Sequence, residues 1–336
     1  MKKFLQNLTL LFFTIVVTVV FCEIILYYFF PQRSTYPRFK FSSEYGNCLY
    51  ENTTIISKQG NRWEFHYVIN SLGFRGKLIE IKKKYDKKNI VVLGDSYTFG
   101  AGADEGKLYT QVMDSLLTDY DVINLAVGGW GLTQQIRKFY EMGILYQPDI
   151  FILQFCSNDL DDIVANKVTV IEDGKFKFIN SDLSINSVKK YLSYSIIQKS
   201  QIYNLFRNTA FRYFAKKTIQ KGIDELAKSS ANTIDIREEF YNELLEKFAN
   251  DIHQKGIKFI FISVNDQLKT AENIAQKVKE LNNKKIITYL ETAGWFDIKD
   301  TSYHSPEGHP WGNKAHHVIG KEISDYILNL RSIDSK

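Results

Sequence analysis

The sequence predicts an α/β fold, a doubly wound parallel sheet behind an N-terminal membrane helix, and three observations predict it. First, Ile90–Leu93, Val122–Val127, Ile150–Phe155, Phe259–Val264 and Ile286–Leu290 are short runs of apolar, mostly β-branched or aromatic residues. Continuous apolar runs suit strands buried on both faces. Second, helical patterns lie between them, around Tyr109–Leu117, Thr133–Leu145, Arg237–His253 and Ala271–Leu281, with a last one from about Lys314 to Leu330. In the third of these, Phe240, Leu244, Phe248 and Ile252 mark one face, and Gly256 sits where a C-terminal cap belongs. Such alternation of strand and helix is the pattern of a covered parallel sheet. Third, the residues that follow the strand-like runs are polar and chemically related.

Composition narrows the class further. Of 336 residues, 44% are hydrophobic and 24% charged, enough apolar material for a large core and too balanced for disorder. A net charge of +5 without clustering argues against nucleic-acid binding and suits a position beside an anionic membrane or wall polymer. Cys22, Cys48 and Cys156 are too few and too scattered for a disulfide scaffold or a zinc site. The bulky Val-Val-Phe before Cys22 argues against a lipoprotein signal.

Residues 1–30 read as a membrane anchor. The apolar run from Leu8 to Phe30 matches the roughly 20 residues needed to cross a hydrocarbon core. No small-residue cleavage pattern follows it, so an uncleaved single-pass anchor is expected. Lys2 and Lys3 favour a cytoplasmic N-terminus, which places the body of the protein outside the cytoplasm. Glu23 is the acid within the run. Its place toward the outer end lowers a cost of about 2.5–3.5 kcal/mol at the bilayer centre, and it is a candidate contact for another helix. Residues 31–87 follow as a tether, at 31–45, and a strand-rich extension in which Trp63, Phe65 and Tyr67 alternate. Residues 88–332 form the main domain, interrupted by a helical insertion at about 163–234. Within that insertion, Ile202–Lys217 mixes Tyr203, Phe206, Phe211, Tyr213 and Phe214 with Arg207, Arg212 and Lys216. Such a helix lies on a membrane surface, covers a site as a lid, or uses its aromatics as core.

In an open parallel sheet, ligands bind beyond the carboxyl ends of the strands. The first strand there runs into Gly94-Asp95-Ser96-Tyr97, the second into Gly128-Gly129-Trp130-Gly131 and the third into Ser157-Asn158-Asp159. The loop beyond the fifth leads to Glu307-Gly308-His309-Pro310-Trp311. Together these are the parts of a serine acyl-transfer site. A serine hydroxyl needs a base to take its proton, and neutral histidine serves near pH 7. A carboxylate on the other ring nitrogen orients that base. Preorganised N–H donors stabilise the tetrahedral oxyanion, and glycine lets a backbone donor approach closely.

Gly94-Asp95-Ser96-Tyr97-Thr98-Phe99-Gly100, Asn124-Leu125-Ala126-Val127-Gly128-Gly129, Ser157-Asn158-Asp159 and Glu307-Gly308-His309-Pro310 resemble, in order and spacing, the four blocks of the SGNH (GDSL-like) hydrolase family. The resemblance covers roughly residues 88–332. It implies a flavodoxin-like three-layer α/β/α sandwich with a five-stranded parallel sheet. It also implies ester hydrolysis or acyl transfer with no metal or cofactor. Carried over by position, Ser96 is the nucleophile and His309 the base. The N–H of Ser96, the N–H of Gly129 and the amide of Asn158 form the oxyanion hole. Many members carry an aspartate three residues before the histidine, where this chain has Pro306. Glu307 fills the place of a variant with the acid two residues before, and some members use a backbone carbonyl instead. Asp297 and Asp300 are the backup acids. Asp95 is expected to buttress the serine turn by hydrogen bonding.

Several residues invite a second reading. Asp159, Asp161 and Asp162 look like a cation cluster but equally like a capped helix start. His316 and His317 lack further ligands for zinc. Trp130 and Trp311 flank the expected site, either to stack on a sugar ring or as packing residues. The expected function is a serine esterase releasing a small acyl group, such as acetyl, from a carbohydrate or envelope polymer. Its partners are then that small-molecule or polysaccharide ester and the membrane. An O-acyltransferase and a non-catalytic carbohydrate-binding protein on the same fold are the alternatives.

Overall fold

The computed structural model describes residues 1–81, 87–181, 197–227 and 235–334. Residues 82–86 of the charged stretch and residues 182–196 and 228–234 of the expected insertion lie outside them, as do the side chains of Phe211, Arg212 and Phe214. Helix α1, Lys2–Phe29, is long and apolar enough to cross a membrane, its most apolar 18 residues having a mean hydropathy of 2.6. Thr9, Thr14 and Thr18 each donate to the carbonyl four residues earlier at 2.8–2.9 Å. These hydroxyls are thereby satisfied within the helix itself, as a membrane-spanning helix requires.

The segment expected as a tether is built into the domain. Ser34–Tyr36 is strand β1, and Lys40–Ser42 and Gly46–Cys48 are the paired strands β2 and β3. Strand β1 pairs antiparallel with β4 (Thr53–Gln59), which pairs with β5 (Trp63–Ile69). Phe65, Tyr67 and Ile69 of β5 are buried while Glu64, His66 and Val68 face out, the alternation of a half-buried strand.

The main domain continues with β6 (Lys88–Leu93), α2 (Ser96–Phe99), α3 (Tyr109–Leu116), β7 (Tyr120–Asn124), α4 (Leu132–Glu141) and β8 (Ile150–Phe155). Helix α5 (Asp159–Ala165) and the hairpin β9 (Thr169–Glu172) and β10 (Lys175–Phe178) follow, then α6 (Gln201–Ala227), α7 (Ile236–Gln254) and β11 (Lys258–Ser263). Helix α8 (Glu272–Asn283), β12 (Thr288–Leu290) and α9 (Asn313–Asp334) complete it. The central five strands are all parallel, in the order β12-β11-β8-β6-β7. This is the expected flavodoxin-like order, with its switch point between β6 and β8. Strand β7 stops at Asn124, earlier than the apolar run, because Asn124 Oδ1 accepts the N–H of Ala126 and turns the chain.

Successive side chains explain why the runs are apolar on both faces. Val91, Leu93, Phe151, Leu153, Phe259 and Phe261 pack on one side against Phe139 of α4, Phe248 of α7 and Val278 of α8. Ile90, Val92, Ile150, Ile152, Ile260 and Ile262 pack on the other against Met113 of α3 and Ile319 and Ile323 of α9.

The N-terminal extension is clamped to this domain by Arg75. Its buried guanidinium donates to the carbonyls of Gly100 at 2.6 Å and Ala103 at 2.8 Å and lies 3.2 Å from Glu105. The same group lies over the Tyr67 ring at 4.5 Å. Replacing Arg75 strands buried carbonyls without donors, so Arg75→Ala is expected to cost about 3 kcal/mol in urea unfolding. Arg75→Lys should recover little of it, because one ammonium does not reproduce a planar fork.

Candidate active site

The chain leaves β6 through Gly94, where a Cβ would stand 2.3 Å from Thr98 Oγ1 and 2.6 Å from Gln154 Oε1. Asp95 then caps α2 by accepting the N–H of Tyr97 at 3.0 Å. Its carboxyl group is fully buried, and burial raises its pKa against hydrogen bonds from Tyr97 and Asn158. Ser96 opens the short helix and is partly exposed. Its Oγ lies 3.3 Å from His309 Nε2. The Gly128 turn after β7 packs directly on it, a Cβ at Gly128 falling 3.8 Å from Ser96 Cα and Cβ. Gly129 has φ +76°, with nothing within 4 Å of where its Cβ would stand. A residue with a side chain is strained there.

Asn158 follows β8 and sits beside the serine turn. Its Nδ2 donates to Asp95 Oδ2 at 3.2 Å and to Asp162 Oδ2 at 2.9 Å. The three aspartates near it do separate things. Asp159 is buried and accepts the N–H of Cys156, Asp161 pairs with Arg237, and Asp162 holds the Asn158 amide. Burial, with Asp95 and Asp161 nearby, raises the Asp162 carboxyl to about 7. No group of three metal-ligating side chains forms among the described residues.

The turn Ser305–Gly308 carries the histidine. Gly308 N donates to Ser305 O at 2.9 Å, Ser305 N to His309 O at 2.8 Å, and His309 N to Ser305 Oγ at 3.0 Å. Closing both ends of this turn sends the side chains of Glu307 and His309 apart. Glu307 does not reach the imidazole. Its buried carboxylate lies 2.9 Å from Arg33 Nη2, just before strand β1, and its Cγ is 3.0 Å from the Cβ position of Gly102. Burial raises the Glu307 carboxyl, while Arg33 and Arg75 pull it down. The Arg33 contact is one of charge, since neither carboxylate oxygen has an aligned donor among the described residues. Asp297 and Asp300 are likewise engaged elsewhere, accepting the N–H groups of Lys299 and Ser302.

His309 Nδ1 is therefore buried without a hydrogen-bond partner among the described residues. Burial lowers the pKa of the ring to about 4, against an upward pull from the backbone of Trp311 and with a further lowering from Arg33. Tyr97 packs its ring on the imidazole at a 4.1 Å centroid distance. His316 is a core residue, its Nδ1 accepting the N–H of Tyr109, and His317 is exposed. Trp130 and Trp311 are 1% and 0% exposed, so neither presents a ring face to a sugar. Their indole N–H groups are spent on Asn47 O and Asn265 Oδ1.

Four residues that shape the site were not singled out from the sequence. Gln154 Oε1 accepts from Thr98 Oγ1 at 2.9 Å and from Asp95 N at 3.3 Å. Gln267 Oε1 gathers Ser157 N, Ser157 Oγ and Cys156 Sγ. Tyr67 accepts the N–H of Gly102, and Arg33 meets Glu307. Gln154 had a signal, a polar residue inside the apolar run Ile150–Phe155. Tyr67 showed only as part of the alternating strand pattern, and Arg33 and Gln267 lie in segments without periodicity or spacing that would have drawn notice to them.

No family model matches the chain, and no curated protein matches it. Among solved structures it is similar to a GDSL-like lipase from Bacteroides thetaiotaomicron VPI-5482, at 12% identity over 75% of this chain and 93% of that one, with a TM-score of 0.40. It is similar also to a lipase/acylhydrolase from Enterococcus faecalis, at 12% identity over 71% and 95%, with a TM-score of 0.39. An esterase of the SGNH-hydrolase family shares 12% identity over 62% and 77%, with a TM-score of 0.34. Likeness at this level carries no functional conclusion, and the chemistry below rests on the chain's own side chains.

A buried neutral ring makes a testable statement about pH. Folded His309 binds its proton near pH 4, whereas an unfolded chain binds it near 6.5. Its contribution to stability is full above about pH 6.5 and is lost as pH falls toward 4. The imidazole is expected to titrate near pH 4 by NMR. His309→Gln should remove that part of the pH dependence of urea unfolding.

Proposed function

We propose that this chain is a membrane-anchored serine ester hydrolase in which Ser96 is the nucleophile and His309 the base. The supporting observation is the 3.3 Å approach of Ser96 Oγ to His309 Nε2, between Gly129 and Asn158 at the carboxyl edge of the sheet. The imidazole is neutral at pH 7, so its Nε2 lone pair is available for the serine proton. Ser96 Oγ attacks the ester carbonyl as that proton moves to His309. The N–H groups of Ser96 and Gly129 and the amide of Asn158 receive the oxyanion. Asn158 does so by exchanging its bond to Asp162 for one to substrate. The alcohol leaves with the proton from His309, and water, activated by the same ring, releases the acid from the acyl-serine.

In this reading the base works without a side-chain carboxylate. Glu307 acts through its contact with Arg33, positioning the turn that carries His309. Lys2 and Lys3 support a cytoplasmic N-terminus for α1, with the hydrolase domain outside. That location, with the mild positive charge, supports an ester of the cell envelope carrying a small acyl group such as acetyl. Trp130 and Trp311 are buried and offer no stacking surface that would favour a carbohydrate.

The test is fluorophosphonate labelling and p-nitrophenyl acetate turnover by the full chain in detergent. Both should vanish in Ser96→Ala, and full turnover by that variant would sink the mechanism. Asn158→Ala should lower kcat by about 10²–10³-fold. Glu307→Gln should lower it less than tenfold, and Arg33→Ala should add nothing in the double variant, since the two residues act as one pair.

A further inference from the structure

We infer that the ester acted on is carried by a membrane amphiphile and meets Ser96 at the headgroup layer. This rests on the serine-hydrolase reading and on α1 spanning the membrane. Residues 2–21 of α1 are exposed throughout. At 1.5 Å per residue that stretch is about 30 Å long, so a span that starts from Lys2 and Lys3 at the cytoplasmic face reaches the outer headgroup layer nearer Cys22 than the apolar run Leu8–Phe30 suggests. Immediately beyond it the domain begins to cover the helix, and Cys22, Glu23, Ile25 and Leu26 are partly shielded.

Glu23 makes the first attachment. Its carboxylate accepts from Ser200 Oγ and, at 2.8 Å, from Gln201 N at the start of α6. Gln32 N then donates to Gln201 Oε1 at 2.7 Å, Gln59 Nε2 to Pro31 O at 3.0 Å and Asn208 Nδ2 to Arg33 O at 3.3 Å. Strand β1 starts at the next residue, Ser34. The exit from the helix thus contains no slack chain. Three residues separate Phe29 from Arg33, four steps of at most about 14 Å of backbone. Arg33 contacts Glu307, two residues before His309. Along α6, Phe206 is 70% exposed within the segment tied to Gln32 and Arg33, where an aromatic side chain suits the membrane interface. A domain fixed this way holds its reactive edge near the lipid surface and does not sweep outward.

In the reaction the ester C–O bond of the amphiphile breaks, its hydroxyl leaves with the proton from His309, and water releases the free acid. The test uses the full chain in phosphatidylcholine vesicles containing 1-palmitoyl-2-acetylglycerophosphocholine. Acetylated xylo-oligosaccharide and p-nitrophenyl acetate in the aqueous phase are the comparisons. The native chain should turn over the vesicle ester at least about tenfold faster than the oligosaccharide ester. Inserting a Gly/Ser segment of about twenty residues after Phe30, with root-mean-square length of about 25 Å, should lower vesicle-ester turnover about tenfold. The same insertion combined with Glu23→Ala and Ser200→Ala should lower it further. In both variants p-nitrophenyl acetate turnover and fluorophosphonate labelling should be unchanged. Equal or faster use of the oligosaccharide ester by the native chain, or vesicle turnover indifferent to the insertion, would overturn the inference. Absence of labelling and of p-nitrophenyl acetate turnover in the native chain would instead remove the serine-hydrolase reading, and this inference with it.

Discussion

Asp95 carries a carboxyl group that is wholly removed from water, and the site is arranged around satisfying it. Leaving such a group unpaired is costly. Its two oxygens accept from Tyr97 N and Asn158 Nδ2, which join the loops after β6 and β8 across the switch point of the sheet. Gln154, reaching up from β8, holds the start of the same turn. The serine is thus presented from a turn whose neighbours on both strands are hydrogen-bonded to it. Glycine is required at position 94 because any side chain would displace Thr98 and Gln154.

The histidine is placed by different means. Its turn is closed by its own backbone, and the residue expected to orient the imidazole faces the N-terminal extension. Arg33, Tyr67 and Arg75 all come from residues 31–81 and all bear on Glu307 or on the loop after Ser96. The extension is consequently part of the site's framework. His309 is left neutral by burial and held by Tyr97 packing, with its second nitrogen unbonded among the described residues.

The central sheet was legible because its physics is local. A strand covered on both sides must be apolar at successive positions, and Ile90–Leu93 and, but for Gln154, Ile150–Phe155 are. The boundary at Asn124 was less legible, since Leu125–Val127 is as apolar as the strand before it and only the Asn124 side chain turns the chain. The stretch 31–45 reads as a tether because three-residue strands leave too little pattern to detect. Trp130 and Trp311 look like surface aromatics in a loop-rich motif, and only the packing of Tyr45 and Tyr109 against them shows that they are core.

By itself the sequence determined the α/β class, the membrane-length helix, the strand ends at which reactive residues gather, and the pairing of Ser96 with His309 as candidate partners. These follow from periodicity, from chain order and from which side chains are able to exchange a proton. Only the tertiary structure decided that Glu307 turns to Arg33, that Asn158 is shared between Asp95 and Asp162, and that the helix is bound into the domain at Glu23. The physical reason is distance along the chain. Ser96 and His309 meet across 213 positions, yet a motif anticipates them because the sheet order brings both to one edge. A side chain's choice between two partners a few ångströms apart depends on turn closure and burial, which the order of residues does not record.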